Sequence, residues 1–469
     1  MFRRTGVFEG GIDLPPQKEA TLREPIAPAP PAGRLRVPLA PCGGEPAKLL
    51  APPGSHVAAG QLLAEAANEN GVDVYAPLSG RVGPVAEVEL ISPGGRGTSS
   101  PAVELEAVGT AQPTASLPAS FDWHSADQEE LLRRLSGGGL VSCRPGGPSG
   151  GRAEPLAAWA RRARRKVCRL LIANAVESQP FLTADHRLLA EHGAEVIRGL
   201  AMLAAATGAE RSILAVDRRR MADYRGLEEP ARACGVIAVA LEPIYPIGND
   251  TILVKVLARR EKPVGGECLD VRVAVTDAAT CFAAQRWVAG GVPQTGRVVT
   301  VSGPAAAVRG NFFAPFGMAC ADLFASGNSP AGSPRPAEPG APASAPPWLV
   351  HGGPMSGRLC GENAVVWHGT DAVLAIEPVE PPVAAPCIRC GWCTDHCPAR
   401  LNVSALNDFY ELGQVRKARR IGALGCVRCG VCTYVCPARL PLAQRVKQLQ
   451  RMIRAGRHET AGLREEAKP

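Results

Sequence analysis

The chain has 469 residues, 46% of them hydrophobic and 20% charged, with a formal net charge of +8. That length admits several domains at roughly 100–200 residues each. The modest basic excess, with no dense Lys/Arg block, argues against nucleic-acid binding but suits an acidic protein or an anionic membrane surface. The opening Met1-Phe2-Arg3-Arg4-Thr5-Gly6-Val7 runs into Glu9 and Asp13 without an apolar stretch, so neither a secretory nor a twin-arginine leader is expected. No run approaches the about 18 apolar residues of a membrane span. A cytosolic chain, or one peripheral on the cytosolic face of a membrane, is the expectation.

Residues 37–86 carry short strand-like runs broken by turns. Pro53-Gly54-Ser55-His56-Val57-Ala58-Ala59-Gly60-Gln61-Leu62 and then Val74-Tyr75-Ala76-Pro77-Leu78-Ser79-Gly80-Arg81-Val82 resemble the half-barrels of biotinyl and lipoyl carrier domains. The hairpin tip, Ala76 to Gly80, has no lysine to take a prosthetic group, so this unit is expected to be a scaffold. From 125 to 262, helix-like and strand-like segments alternate. Strand patterns fall at Arg169–Asn174, Ser212–Val216 and Gly235–Ala240, with a long helical pattern over 184–206. Such alternation predicts an α/β layer on a mainly parallel sheet. The glycines at 137–139 and 146–151 can cradle a phosphate with backbone amides, or serve as plain linker. Residues 293–326 read as a small β-rich unit, and the Pro/Gly/Ser/Ala-rich stretch 327–347 as a disordered or extended loop.

Sixteen cysteines are present. Cys42, Cys143, Cys168, Cys234, Cys268, Cys281, Cys320 and Cys360 are scattered singly, as small buried hydrophobes are. The other eight form two runs, Cys387-Ile-Arg-Cys390-Gly-Trp-Cys393-Thr-Asp-His-Cys397-Pro398 and Cys426-Val-Arg-Cys429-Gly-Val-Cys432-Thr-Tyr-Val-Cys436-Pro437. Each has the C-x2-C-x2-C-x3-C-P spacing of bacterial-type ferredoxins, in which the fourth cysteine serves the other cluster. One [4Fe–4S] cluster is thus expected on Cys387, Cys390, Cys393 and Cys436, and a second on Cys426, Cys429, Cys432 and Cys397. Structural zinc normally uses paired cysteines without the trailing Cys-Pro, and disulfides fit a cytosolic chain poorly. Gly391 and Gly430 let the backbone curl so that amides reach sulfur. Helical spacing at Leu401, Ala405, Leu406, Phe409 and Leu412, and a basic helix over 441–455, make this module mostly α-helical.

The order of modules resembles the RnfC family, the RnfC subunits of the Rnf/Rsx ion-translocating electron-transport complex. The resemblance runs from Phe8-Glu-Gly-Gly-Ile-Asp13 through Asn174-Ala-Val-Glu177, Pro180-Phe-Leu-Thr-Ala-Asp-His-Arg187, Tyr245-Pro246, Arg297-Val-Val-Thr-Val-Ser-Gly303 and Gly352-Gly-Pro-Met-Ser-Gly357 to the paired cluster motifs. It implies a multidomain α+β architecture. The parts are an N-terminal barrel-sandwich domain (1–115), an α/β domain like the flavin-binding part of respiratory complex I (120–265), a β-grasp-like soluble-ligand-binding module (266–375) and an α-helical dicluster ferredoxin domain (380–455). It further implies a peripheral protein on the cytoplasmic face of the membrane, bound to the other subunits of an Rnf-type complex and serving ferredoxin. Electrons would pass between an NADH/FMN site and the two clusters. Gly146, Gly147, Glu177, Asp185 and Asn249 are the residues expected at the flavin–nucleotide site. The chain departs from the family there: Ser142–Arg152 replaces a denser glycine loop, and Glu177-Ser-Gln-Pro180 keeps one carboxylate of a Glu-Cys-Glu-Pro element. An electron-wiring or scaffold protein with a degenerate flavin pocket, serving another donor, is therefore the alternative.

Overall fold

The computed structural model describes residues 3–4, 8–92, 96–108, 121–143, 153–325 and 346–456. Gly146 and Gly147, and nearly all of the low-complexity stretch 327–347, lie outside the described residues.

The N-terminal half-barrel is built on β1 (Arg34–Pro38) and the long hairpin of β2 (Gly80–Ser92) and β3 (Arg96–Ala107), with His56–Val57 at the far edge of β2. A second, three-stranded antiparallel sheet of Lys48–Leu49, Leu62–Glu65 and Val74–Tyr75 closes over it. Alternation of buried and exposed residues along β1 and β2 turns Leu35, Val37 and Val82 inward, as a strand with one wet face requires.

The α/β layer follows the expected strands. β4 (Leu170–Ala175) is buried along its whole length, as a central parallel strand covered by helices on both faces must be. It leads into α1 (Ala184–Thr207), β5 (Arg211–Asp217), β6 (Val236–Leu241), α2 (Asp250–Ala258), β7 (Val273–Asp277) and α3 (Ala278–Gly290). All pairings are parallel, in the order Arg3–Arg4, β6, β5, β4, β7. The sheet therefore takes in Val273–Asp277, and this layer reaches through α3 to residue 290, beyond the 265 that the family resemblance implies. The apolar run Val273–Val275 carries no mark of which sheet receives it.

The β-rich module consists of β8 (Gly296–Ser302), β9 (Gly310–Pro315), β10 (Trp348–His351) and β11 (Ala372–Ile376). Its sheet runs Arg358–Leu359, β10, β11, β8, β9, Ile26–Pro28. Val299, Val301 and Val373 from this sheet share one hydrophobic cluster with Leu35, Leu63 and Leu105 of the half-barrel, so the two modules fold around a common core.

The dicluster module contains α4 (Trp392–Asp395), α5 (Val403–Glu411), α6 (Val415–Arg420), α7 (Val431–Tyr434) and α8 (Leu442–Arg454). Its two motifs are an internal repeat: C-x-R-C-G-x-C-T-x-x-C-P-A-R-L occurs at 387–401 and again at 426–440. The backbone repeats with the sequence. Arg389 and Arg428 have φ of 57° and 59°, Gly391 and Gly430 84° and 82°, and Arg400 and Arg439 53° and 56°. Four arginines in the left-handed region are costly for non-glycine residues, and the paired occurrence marks a loop shape that both motifs need.

The N-terminal segment straps these parts together. Gly11 N–H donates to the His396 carbonyl (3.0 Å), Ile12 exchanges backbone hydrogen bonds with Tyr245, and the Phe181 N–H reaches the Pro16 carbonyl (2.9 Å). Thr21 Oγ1 accepts from Thr183 Oγ1 (2.8 Å) at the start of α1. A Cβ on Gly10 would stand 2.9 Å from the Cys397 carbonyl carbon, which is why the strap can lie against the first cluster motif only as glycine.

Candidate electron-transfer site

In the α/β sheet, β4 lies between β5 on one side and β7 on the other, and the connections diverge there. Open α/β sheets bind ligands in the crevice outside the carboxyl ends of the strands at such a switch point. Asn174 and Asp277, register partners at the carboxyl ends of β4 and β7, both line a cleft of about 330 Å³. That volume falls within the range of cofactor pockets, roughly 300–1,000 Å³. The Tyr245–Asn249 turn and the Gly352–Gly357 loop form two of the walls, and Lys262, Arg428 and Arg454 put cationic side chains on the lining.

The structure brings Glu177, Asp185 and Asn249 to this cleft. Their side chains do different things. The two carboxylate oxygens of Glu177 accept the Asp185 and His186 amides (3.0 and 3.1 Å), which are orphan donors at the N-terminus of α1. Lys18 Nζ donates to the Glu177 carbonyl (2.5 Å). Burial pushes the Glu177 carboxyl up and the Lys18 amine down, and their mutual attraction opposes both shifts. Glu177 thus stoppers the helix end. Asn249 Oδ1 accepts the Thr251 amide (3.0 Å) and caps α2. Asn174 bridges the floor, its Nδ2 donating to Gly248 O (2.8 Å) and its Oδ1 accepting from Val176 N (3.1 Å).

Gln179 stands where the family's element has its second acid. Its Nε2 donates to Ser356 Oγ (3.0 Å) and its Oε1 accepts from Met355 N (3.2 Å), so it ties the Gly352–Gly357 loop to the cleft. Buried Arg297 and His351 also line the cleft. Burial depresses His351 to about 3, and its Nε2 lies 2.9 Å from Thr370 Oγ1. Sequence reasoning did not mark Asn174, Asp277, Arg297 or His351 as site residues. Asn174 and Arg297 sit inside motifs that carry the family resemblance, which is the signal that could have found them.

The eight motif cysteines fall into the two sets that the spacing implies. Cys387, Cys390, Cys393 and Cys436 line one cavity, and Cys397, Cys426, Cys429 and Cys432 another. Among the described residues no three His, Cys, Asp or Glu side chains converge as one metal ion would need. A tetrahedral zinc site would draw four sulfurs to about 2.3 Å from a single point; four thiols spread around a cavity suit a cubane instead. Backbone amides already face sulfur: Leu401 N–H to Cys397 Sγ and Arg428 N–H to Cys426 Sγ, both 3.4 Å. Burial raises the thiols of Cys426 to about 11 and Cys429 to about 12, and Cys432 further still. Such thiols ionise at neutral pH only against bound iron, whose charge replaces the lost hydration. The donor set therefore fits two [4Fe–4S] clusters.

The two cavities sit differently. Residues 426–429 line both the second cluster cavity and the cleft, so one stretch of backbone separates them. Tyr245, on the cleft wall, donates its hydroxyl to the Cys429 carbonyl (2.6 Å). At the first cavity, Cys387 and Cys390 are exposed.

A cleft at the switch point of a parallel sheet, walled by the loop of one cysteine quartet, defines an iron–sulfur electron-transfer protein with a flavin-type module. Family comparison agrees part by part. Residues 6–107 match the RnfC barrel sandwich hybrid domain, residues 148–286 the Nuo51 FMN-binding domain, and residues 383–437 the 4Fe-4S dicluster domain. Over 422 residues the chain is 30% identical to the RnfC protein of the ion-translocating oxidoreductase complex of Rhodobacter capsulatus, covering 89% of this chain and 77% of that protein. It is 27% identical over 405 residues to the corresponding protein of the proton-translocating ferredoxin:NAD(+) oxidoreductase complex of Clostridium ljungdahlii, covering 85% and 83%. An NAD+-reducing [NiFe]-hydrogenase chain superposes with a TM-score of 0.44 at 20% identity, over 74% of this chain and 70% of that one. The chain belongs to the RnfC family of ion-translocating oxidoreductase complexes.

Proposed function

We propose that this protein is the peripheral electron-transfer subunit of an ion-translocating ferredoxin:NAD oxidoreductase, and that it moves electrons between a flavin/NADH cleft and two [4Fe–4S] clusters. The observation that carries this reading is the shared wall: residues 426–429 border both the cleft and the second cluster cavity. The electron order is then cleft, the cluster on Cys397, Cys426, Cys429 and Cys432, the cluster on Cys387, Cys390, Cys393 and Cys436, and then a partner on the cytoplasmic side, a membrane protein of the complex or ferredoxin. FMN, once bound, accepts a hydride pair and releases electrons singly. Asn174, Asn249 and Asp277 at the strand ends and turn orient the ligand. Lys262, Arg428 and Arg454 offset its phosphate charge. No described helix is long and apolar enough to cross a membrane, consistent with a peripheral place.

One observation favours a second reading, a wiring protein whose flavin site no longer works. The Glu177-Ser-Gln-Pro180 element retains one carboxylate, which stoppers α1, while Gln179 is committed to the Gly352–Gly357 loop. Flavin content decides between them. Anaerobic purification, cluster reconstitution and acid release should yield FMN near one per chain, and NADH should bleach the cluster absorption. Two clusters without flavin and without NADH-driven bleaching would establish the wiring reading instead.

A further inference from the structure

The internal repeat supplies a comparison within one molecule. In the second motif, the face made by Gly430 and Val431 is covered by protein. Val431 is fully buried in a cluster with Leu14 and Tyr245, against which Met355 packs. A Cβ on Gly430 would meet the Met355 carbonyl oxygen at 2.9 Å. This face adjoins residues 426–429, the stretch that walls the cleft, and packs on Tyr245 of the cleft wall. In the first motif the equivalent face is open among the described residues. Trp392, counterpart of Val431, is 53% exposed, and Ile388, counterpart of Val427, is 66% exposed. A Cβ on Gly391 would meet nothing nearer than Asp395 Oδ2 at 3.8 Å. The exposed Cys387 and Cys390 bracket this patch.

Charge says what kind of surface belongs there. Residues 383–456 hold twelve Arg or Lys against three Asp or Glu, an excess larger than the +8 of the whole chain. Arg389, Arg439 and the α6 residues Arg419 and Arg420 are exposed. An exposed apolar centre of an aromatic and an aliphatic side chain, next to Arg389 and on a strongly basic module, has the make-up of a protein docking site: an anchor in the middle and charges that steer. A lipid surface would satisfy the cations but could not accept an electron from the cluster beneath.

We propose that the Ile388–Trp392 face of the first cluster motif docks an acidic protein carrying a one-electron centre, as the matching face of the second motif docks the flavin-type module of this chain. The proposal rests on the reading of the first cluster as the outward electron port. One electron leaves the reduced cluster and the carrier gains it; no bond is made or broken. Trp392 is the apolar anchor, and the basic surface of α6 speeds encounter without touching the cluster.

The test uses the full chain with both clusters reconstituted and reduced by dithionite, so that no flavin is needed. Its reoxidation is followed by stopped flow with two c-type cytochromes of opposite net charge, which hold the acceptor chemistry constant. The acidic cytochrome should react about tenfold faster at low ionic strength, and the advantage should vanish as salt shortens the Debye length. Trp392→Ala should slow reaction with the acidic cytochrome several-fold, and Arg419→Glu/Arg420→Glu should remove most of its salt dependence. Iron content and the reduced-cluster EPR signal should be unchanged in both. Equal or faster reaction with the basic cytochrome, or rates indifferent to both variants, overturns the proposal. So does loss of binding to phosphatidylglycerol vesicles in Arg419→Glu/Arg420→Glu with an unaltered cytochrome rate, which would mark the face as lipid-directed. A chain that assembles no clusters overturns the electron-transfer reading itself, and that outcome is separable because it shows in iron content before any cytochrome is added.

Discussion

Tyr245 shows how much one hydroxyl can do at a junction. Burial raises its phenol far above the ordinary value, so it remains a donor at every working pH, and it donates to the carbonyl of the motif cysteine Cys429. A donor held beside a cluster stabilises added negative charge, which raises the reduction potential. Tyr245→Phe keeps the ring packed against Leu14 and Val431 but removes the dipole. EPR-monitored redox titration should find the cluster on Cys397, Cys426, Cys429 and Cys432 lowered by some tens of mV, where about 59 mV corresponds to tenfold in a one-electron couple. The cluster on Cys387, Cys390, Cys393 and Cys436 should not move. An unshifted second cluster would reduce Tyr245 to packing. Tyr245 is visible in the sequence only as a family position; its partner, on a loop 184 residues away, is not.

Among the elements, the crossing of α1 and α3 fixes the face of the sheet that bears β4 and β7. A Cβ on Gly199 would meet the Cys281 carbonyl oxygen far inside van der Waals contact, so the two backbones approach closely at this point. Gly199 has no left-handed backbone to excuse it, and alanine favours helix over glycine by roughly 1 kcal/mol. Gly199→Ala should nonetheless destabilise by about 1–3 kcal/mol, because the helices must separate to admit the methyl; a lowered urea midpoint measures it. A midpoint that rises would mean that the crossing yields freely. These elements were legible because each has a local signature. The all-buried pattern of β4 and the long apolar spacing of α1 need no partner to be read. The two cysteine quartets were legible for the same reason, since their spacing brings each four to one cavity. What escaped was tertiary: that Gly10 and Gly11 are a strap, that Val273–Asp277 joins the α/β sheet, and that residues 426–429 wall the cleft. Each depends on which surfaces meet.

At the scale of the whole molecule, two buried histidines, His186 and His351, and the half-buried His368 tie its parts to pH. His186 lies in the α/β layer against Tyr224 Oη (2.7 Å), His351 in the β-rich sheet, and His368 at the junction, where its Nε2 donates to the Gly139 carbonyl (2.9 Å). Burial depresses them to about 4, 3 and 3. The sign follows from proton uptake. Unfolded histidine binds a proton below about 6.5, whereas these three do not until near 4 or below, so the unfolded chain takes up more protons and stability falls with pH across that window. The contribution is whole above 6.5 and shrinks by about 1.4 kcal/mol per unit for each histidine as pH drops. Against a total of roughly 5–15 kcal/mol, losses of that order between pH 6.5 and 5 remove a sizeable share of the stability. His368 is the sharpest case, since its Nδ1 is buried without a hydrogen-bond partner and a proton there would face the Arg297 charge. His368→Gln keeps an N–H that can reach Gly139 but has nothing to titrate. Urea midpoints from pH 7.5 to 5 should therefore fall less steeply in this variant, by about one proton's worth of slope. Identical slopes in the two proteins would show that His368 is protonated in the fold already and that the acid sensitivity arises elsewhere.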